Sequence, residues 1–444
     1  MQFGTDGVRG VAISELSTDF ATRLGRAAAR VLGNGDVTTV VVGGDTREST
    51  EVLDRALCEG FAAEGLEVVR LGVAPTPQVA FEAQRRHALG AVVSASHNPW
   101  TDNGIKLFAI GGVKLVDEVE RRIENELSQL DDDSRPAPST GIPGRVIDAS
   151  ADHDAYIAHV VGFLEGLRLD GMRIVLDAAN GAAHHIGPRV LRAAGAEVIV
   201  VAASPNGRNI NDRCGATAPS LVAEAVIEHR AQVGIALDGD ADRLIAVDHT
   251  GNIVDGDHII AIVANDLRSR GELRHDTVVV TVMTNLGFRL AMRATGITVV
   301  ETGVGDRYVL EALATGGFSL GGEQSGHVIF ADHATTGDGI LTAVALLDAL
   351  KRAGRPLAEI AADAMTSLPQ VLVNVRVAQR MPDIASRLAD EIAAFGDELG
   401  DTGRILVRAS GTEPLVRVMV EAPTHDQAQR VADTLADAAR HLTA

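Results

Sequence analysis

The stretch "VTTVVVGGDTRESTEVLDRALCEGFAAEGLEVVRLG" (Val37–Gly72) decides the fold. It begins with an apolar run that breaks off in Gly43, Gly44, Asp45, Thr46 and Arg47, continues with helical spacing, and returns to an apolar run, "LEVVRLG". Short, near-continuous Val/Ile runs read as strands buried on both faces. Strands alternating with helical stretches of about 10 to 15 residues read as βαβ units, a sheet covered by helices. The unit is completed by the loop and short helix of "VAPTPQVAFEA" (Val73–Ala83) and a third run, "LGAVV", which stops at "SASHNP" (Ser94–Pro99).

The same order returns twice. The second round has "MRIVLDAANG", "AEVIVVAASPNGR" and "VGIALDGDADR" (Val233–Arg243). The third has "DTVVVTV", "ITVVETGVGDRYV" and "FSLGGEQSGHVIF" (Phe318–Phe330). Repetition at this scale implies related structural units. The polar, Pro- and Gly-rich "DDDSRPAPSTGIPG" (Asp131–Gly144) reads as a surface loop or linker. After "DAMTSLPQ" (Asp363–Gln370) the pattern changes to strand, helix, "GRILVRASGTEPLVRVMVEA" and an Ala-rich helix. We therefore expect an α/β protein: three related α/β domains with mixed sheets covered by helices, and a smaller α+β C-terminal domain, around a central cleft. The expected boundaries are 1–150, 151–252, 253–367 and 368–444. Ligands of α/β sheets bind beyond the carboxyl ends of strands, which is where the three motifs fall.

Composition narrows the function. With 444 residues the chain exceeds one hydrophobic core. Aromatics make up only 3% of it, so its cores must be aliphatic. A formal net charge of −20 argues against nucleic acid and against an anionic membrane surface. It also means that an anionic ligand would need local Arg, Lys and backbone N–H groups. No apolar stretch approaches the roughly 18 residues that span a bilayer. "MQFGTDGVRG" has no apolar core of a secretory signal. Cys58 and Cys214 form no metal or CxxC pattern, which fits a reducing cytoplasm.

In "DGDADR", Asp238, Asp240 and Asp242 alternate, so an extended backbone would place their carboxylates on one side. Such a cluster is expected to hold a hard cation, Mg²⁺; an EF-hand is excluded because Arg243 and His249 stand where that loop needs Gly and Glu. A solvated acidic turn is the competing reading. Ser96, a hydroxyl in the loop that also offers His97 and Lys106, could carry a phosphoryl group beside the metal. Ser94 is the rival nucleophile. Lys106 could act as acid or base if Arg243 and Mg²⁺ depress its pKa. His97 could orient the serine or cap the turn. "RASGTEPLVRV" offers Arg408, Ser410, Gly411, Thr412 and Arg417 to an anion, though it is no Walker loop. Glu323, Ser325 and His327 of "GGEQSGH" suit vicinal sugar hydroxyls. "FGTDGVRG" could lead into a helix or bring Arg9 to an anionic centre.

Taken together and in this order, "FGTDGVRG", "SASHNPWTDNGIK", "DGDADR", "GEQSGH" and "RASGTEPLVRV" resemble the α-D-phosphohexomutase superfamily from Phe3 nearly to the end, closest to its bacterial phosphoglucosamine mutase branch. The resemblance implies a phosphoserine at Ser96, and Mg²⁺ on Ser96, Asp238, Asp240 and Asp242. It implies proton transfer and charge stabilisation by Lys106 and Arg243, with His97 and Arg9 nearby. It gives sugar contacts to Glu323, Ser325 and His327, and the non-reacting phosphate to Arg408, Ser410, Gly411, Thr412 and Arg417. Glucose- and mannose-specific relatives usually carry Met where this chain has Gln324, and a histidine in the loop that here reads "GVGDRYV" (Gly303–Val309). The amino-sugar activity is therefore expected: glucosamine 6-phosphate and 1-phosphate interconverted through a 1,6-bisphosphate, which also primes the serine. Cytoplasmic location, a phosphosugar partner, an unidentified agent that first phosphorylates Ser96, and compatibility with a homodimer follow from the same likeness. A sister phosphomannomutase/phosphoglucomutase, a Mg²⁺-dependent phosphatase and an idle phosphosugar sensor are the alternatives.

Overall fold

The computed structural model describes residues 3–4, 6–33, 37–130, 143–377, 379, 381–409 and 414–442. It divides into two compact units, Met1–Met283 with Ile297–Ala364, and Thr284–Gly296 with Met365–Ala444.

The described residues of the first unit form three sheets. The strands of the first are β1 (Val8–Val11), β2 (Thr39–Gly44), β3 (Glu67–Val73), β4 (Leu89–Val93), β5 (Asp102–Ala109), β6 (Val113–Lys114) and β7 (Val146–Asp148). They run in the order β1-β5-β4-β2-β3-β7, with β6 beside β5. The second sheet has β8 (Arg173–Asp177), β9 (Glu197–Val201), β10 (Val233–Leu237), β11 (Leu244–Asp248) and β12 (Ile253–Val254), in the order β12-β11-β10-β8-β9. The third has β13 (Thr277–Thr281), β14 (Thr298–Thr302), β15 (Leu320–Gly322) and β16 (Val328–Phe330), in the order β14-β13-β15-β16.

All three repeat one topology. Three parallel strands are followed by an antiparallel return: β4 to β5, β10 to β11 and β15 to β16. Each round was read as ending at its motif. In the structure the motif is the hairpin connection to a fourth strand, so the three polar loops occupy equivalent places at the carboxyl ends of β4, β10 and β15.

Aliphatic runs make the central strands. Every residue of β4, β10 and β13 is buried. The helices Thr18–Leu32 and Thr50–Ala63 cover one face of the first sheet and cross so closely that a Cβ at Gly60 would lie 2.2 Å from the Thr22 carbonyl oxygen. Backbone cannot yield as a side-chain tip can. Gly60→Ala is expected to destabilise the protein by about 3 kcal/mol, the upper end of overpacking costs, read as a lowered denaturation midpoint.

In the second unit, β17 (Gln370–Arg376), β18 (Arg404–Ala409) and β19 (Leu415–Glu421) form an antiparallel sheet, order β17-β19-β18, against the helix His425–His441. The helix Leu286–Thr295, the crossover of the third round, belongs to this unit although its sequence position suggested the domain 253–367. Polar anchors explain the allegiance. Leu286 N–H donates to Glu421 Oε2 (2.9 Å), and the Asn285 amide pairs with Leu368 through both its oxygen and its nitrogen. Among the described residues no helix is long and apolar enough to cross a membrane.

Candidate active site

Ser96 lies in the β4–β5 connection with φ 52, a left-handed conformation uncommon for serine. Neighbours on several elements hold it there. Arg47, buried at the end of β2's "GGDTR", pairs with Asp45 and donates to the carbonyls of Ser96 (3.1 Å) and Asn98 (2.6 Å). Ser94 Oγ donates to Asp45 Oδ2 (2.6 Å) and accepts from Ser96 N–H (2.9 Å). Asn211, from the second sheet's loops, also donates to the Ser96 carbonyl (2.9 Å). Ser94 is therefore committed to the loop's scaffold, and the free direction belongs to Ser96 Oγ. The sequence had marked Arg47 only as the end of a strand; a buried guanidinium there is a signal that polar loops above it need holding. Arg47→Met should cost about 3 kcal/mol or more, because it strands a buried carboxylate. A thermal melt and turnover, both lowered, would check it.

Ser96 Oγ donates to Asp238 Oδ2 at 2.6 Å. Here the backbones of the first and second domains nearly touch: a Cβ at Gly239 would lie 2.5 Å from the Ser96 carbonyl oxygen, so only glycine fits between Asp238 and Asp240. The three aspartates do converge, with one carboxylate oxygen from each within 4.8 Å of the others, and all are buried. The expected extended backbone is not what gathers them. Residues 238–243 turn between β10 and β11, with Ala241 at φ 59, and the turn folds the carboxylates inward. Asp240 is further fixed by Thr76, whose Oγ1 donates to Oδ2 (2.7 Å).

Asp240 Oδ1 and Asp242 Oδ1 are buried and accept no hydrogen bond. Burial first, then the charges of Asp242 and Asp240, push the Asp238 carboxyl well above its ordinary range. Crowded, under-coordinated carboxylate oxygens of this kind fit a hard divalent cation.

Lys106 is on strand β5, opposite Val92, and not in the loop with Ser96 and His97. It is buried, with Nζ 2.9 Å from Asp240 Oδ2, 3.0 Å from Asp242 Oδ2 and 2.9 Å from Asp6 Oδ2. The expectation of a depressed pKa does not match these surroundings. Burial alone would lower it, but the charges of Asp240, Asp242 and Asp6 outweigh burial and hold the ammonium well above its usual value. His97 Nδ1 is 3.2 Å from Ser96 Oγ. Burial, then Arg243 and Arg9, bring its imidazole down to about 4, so it is neutral at pH 7.

Arg9 lies on β1, which pairs with β5, so "FGTDGVRG" leads into a strand and not a helix. Its guanidinium donates to Asp6 Oδ2 (2.6 Å). Asp6, Arg9, His97, Asp242, Arg243 and Glu323 all line one cleft of about 460 Å³, with Val304, Gly305 and Asp306 also in its wall. Glu323 accepts from Gly305 N–H (3.2 Å) and from Ser325 Oγ (3.3 Å). The loop is a tight turn, with Glu323 N–H donating to the His327 carbonyl (3.0 Å). His327 lies deeper. Its Nε2 is 3.2 Å from Gly337 N, and its Nδ1 faces Asp242 Oδ1 at 3.6 Å. Gln324 donates to Asp255 Oδ2 (3.3 Å), the N-cap of the helix Gly256–Ser269.

In the second unit, Arg408 and Arg417 are register partners on β18 and β19 and so share one face of the sheet. Burial and the charge of Arg417 lower the Arg408 pKa, and Arg417 Nε is buried without a hydrogen bond. Two like charges directly opposite are unfavourable unless an anion joins them. Ser410, Gly411 and Thr412 lie outside the described residues.

Four sequence models match end to end: phosphoglucomutase/phosphomannomutase alpha/beta/alpha domain I over residues 1–134, domain II over 154–251, domain III over 255–368, and the C-terminal domain over 372–438. The chain belongs to the phosphoglucomutase/phosphomannomutase family. The family's four-domain plan, three α/β domains and a smaller C-terminal one, is the architecture seen here. Within the family, the phosphoglucosamine mutase of Frankia casuarinae is 54% identical over 449 residues, covering 99% of this chain and 98% of that one. A phosphoglucomutase/phosphomannomutase family protein from Burkholderia thailandensis superposes with a TM-score of 0.81 at 26% identity, covering 97% of this chain and 95% of that one. The N-acetylphosphoglucosamine mutase of Aspergillus fumigatus, solved with GlcNAc-6P and magnesium, shares the fold at a TM-score of 0.71 and 19% identity, covering 100% of this chain and 96% of that one.

Proposed function

We propose that the chain is an intramolecular phosphotransferase that interconverts glucosamine 6-phosphate and glucosamine 1-phosphate. The observation that carries the chemistry is Ser96 Oγ, 2.6 Å from Asp238 in a cluster of three buried carboxylates, of which Asp242, together with His97, lines a polar cleft. The amino-sugar substrate rests on the full-length likeness to phosphoglucosamine mutases.

In this reading Ser96 carries the phosphoryl group. The bond from Oγ to phosphorus breaks as one forms to the C1 oxygen of glucosamine 6-phosphate, and the sugar hydroxyl's proton ends on Oγ. The 1,6-bisphosphate turns over, and its 6-phosphoryl group returns to Ser96 with the proton moving back, leaving the 1-phosphate. Ser96, Asp238, Asp240 and Asp242 would hold Mg²⁺, which when bound supplies charge stabilisation to the phosphoryl oxygens. Lys106 and Arg243, both held as cations, stabilise charge at the reacting hydroxyl and so assist its proton transfer to Oγ, while neutral His97 orients Ser96 Oγ and Arg9 fixes Asp6. Glu323 and Ser325 take sugar hydroxyls, with His327 bracing Asp242 behind them. Arg408 and Arg417, with Ser410, Gly411 and Thr412, take the non-reacting phosphate. The enzyme would work in the cytoplasm, primed by a sugar 1,6-bisphosphate, and divide at 150/151, 252/253 and 367/368.

The test is kcat/KM for glucosamine, glucose and mannose 6-phosphates, with Mg²⁺ and a trace of bisphosphate. A preference for the amino sugar of at least about 100-fold, about 2.7 kcal/mol, is expected. Equal or better rates with the neutral sugars would reassign the chain to phosphoglucomutase/phosphomannomutase activity.

A further inference from the structure

The loop "GVGDR" (Gly303–Arg307) carries the N–H that orients Glu323, and it is gripped from the first domain. Lys114 Nζ lies 2.5 and 2.7 Å from the two carboxylate oxygens of Asp306. Arg307 reaches both oxygens of Glu120 (3.2 and 3.1 Å) and pairs with Asp117, on the helix Asp117–Gln129. Lys114 has a second contact. It lies 3.2 Å from Asp6 Oδ1, while the other oxygen of Asp6 takes Arg9 and Lys106. One ammonium thus touches the carboxylate beside the reacting centre and the carboxylate next to Gly305. Lys114 is only 12% exposed, so these pairs are shielded enough to hold geometry.

We propose that Lys114 is a positioning residue that locks the sugar-binding wall of the cleft to its reacting wall, acting on Glu323 through Asp306 and Gly305. The lock fixes where the sugar sits relative to Ser96, which a misplacement of one ångström would spoil. This rests on the mutase reading for its kinetic consequence, but not for its structural one.

The test has two arms on the full-length protein. In hydrogen exchange, K114M should speed exchange of the Gly305 amide at least about tenfold while the amides of β4 and β10 stay protected. D306N cuts the same pair from the other side and must reproduce the effect, which covers a K114M that fails to fold. Unchanged exchange at Gly305 overturns the lock whatever the substrate. In kinetics, K114M should lower kcat/KM about 30-fold in the native background but less than about twofold when E323Q is already present, since Lys114 acts through Glu323. Equal losses in both backgrounds overturn the proposal. Absence of turnover in the native enzyme with every hexose phosphate would refute the mutase reading and leave the exchange arm to decide.

Discussion

Ser96→Ala is expected to lower turnover by at least about 10⁴-fold, the scale of removing a nucleophile, while the protein keeps its fold and still binds hexose phosphate. The neighbouring hydroxyl of Ser94 cannot substitute. Ser94 Oγ donates to Asp45 and accepts from the Ser96 N–H, so turning it toward Asp238 would break both bonds. The loop's left-handed backbone is held by Arg47 and Asn211 through the Ser96 carbonyl, which alanine retains. Stability should therefore move little. The measurement is turnover in a primed, Mg²⁺-saturated assay, beside calorimetric binding of glucosamine 6-phosphate. Residual activity above about one hundredth of the native rate would remove Ser96 from the role of phosphoryl carrier.

The second large effect is on metal removal. Chelation is expected to abolish activity by at least about 10³-fold, and Mg²⁺ to restore it. The three buried carboxylates lie together, and Asp240 Oδ1 and Asp242 Oδ1 accept no hydrogen bond, which leaves them open to a cation. Mg²⁺ at about 100 times its Kd should then stabilise the fold by about 2.7 kcal/mol, seen as a raised melting temperature. Asp238→Asn keeps the shape and removes one charge. It should leave the metal-free melting temperature unchanged or higher, yet erase most of the gain on adding Mg²⁺. A full Mg²⁺ response in Asp238→Asn, or none in the native protein, would contradict a metal at this cluster.

Much of this architecture is legible in the chain. The aliphatic runs at Val40–Val42, Leu89–Val93 and Val233–Leu237 announce buried strands because little but Val, Ile, Leu, Ala and Gly fits there. The polar motifs that interrupt them announce the loops. The return strands escaped because their sequences mix both signals: "DNGIKLFA" carries Asn, Gly and Lys inside β5, and its lysine reads as solvated until Asp240 and Asp242 from another domain come within 3 Å. The Asp triplet was found for an incomplete reason, since alternation predicts a strand and the carboxylates meet through a turn. Long-range pairings were out of reach. Nothing local says that Arg47 holds the Ser96 carbonyl 49 residues away, or that Lys114 holds Asp306 192 residues away. The helix Leu286–Thr295 shows the same limit: its amphipathic pattern gives a helix, while its allegiance depends on Glu421, which is distant in sequence.

The central claim is that Ser96 passes its phosphoryl group to a sugar hydroxyl and takes one back. The most direct test is a single turnover with enzyme labelled at Ser96 by radioactive phosphate, mixed with excess glucosamine 6-phosphate and Mg²⁺. The account predicts loss of label from the Ser96 peptide, its appearance in glucosamine 1,6-bisphosphate and then in the monophosphates, and almost no inorganic phosphate. Label released chiefly as inorganic phosphate, or retained on the protein, would contradict it.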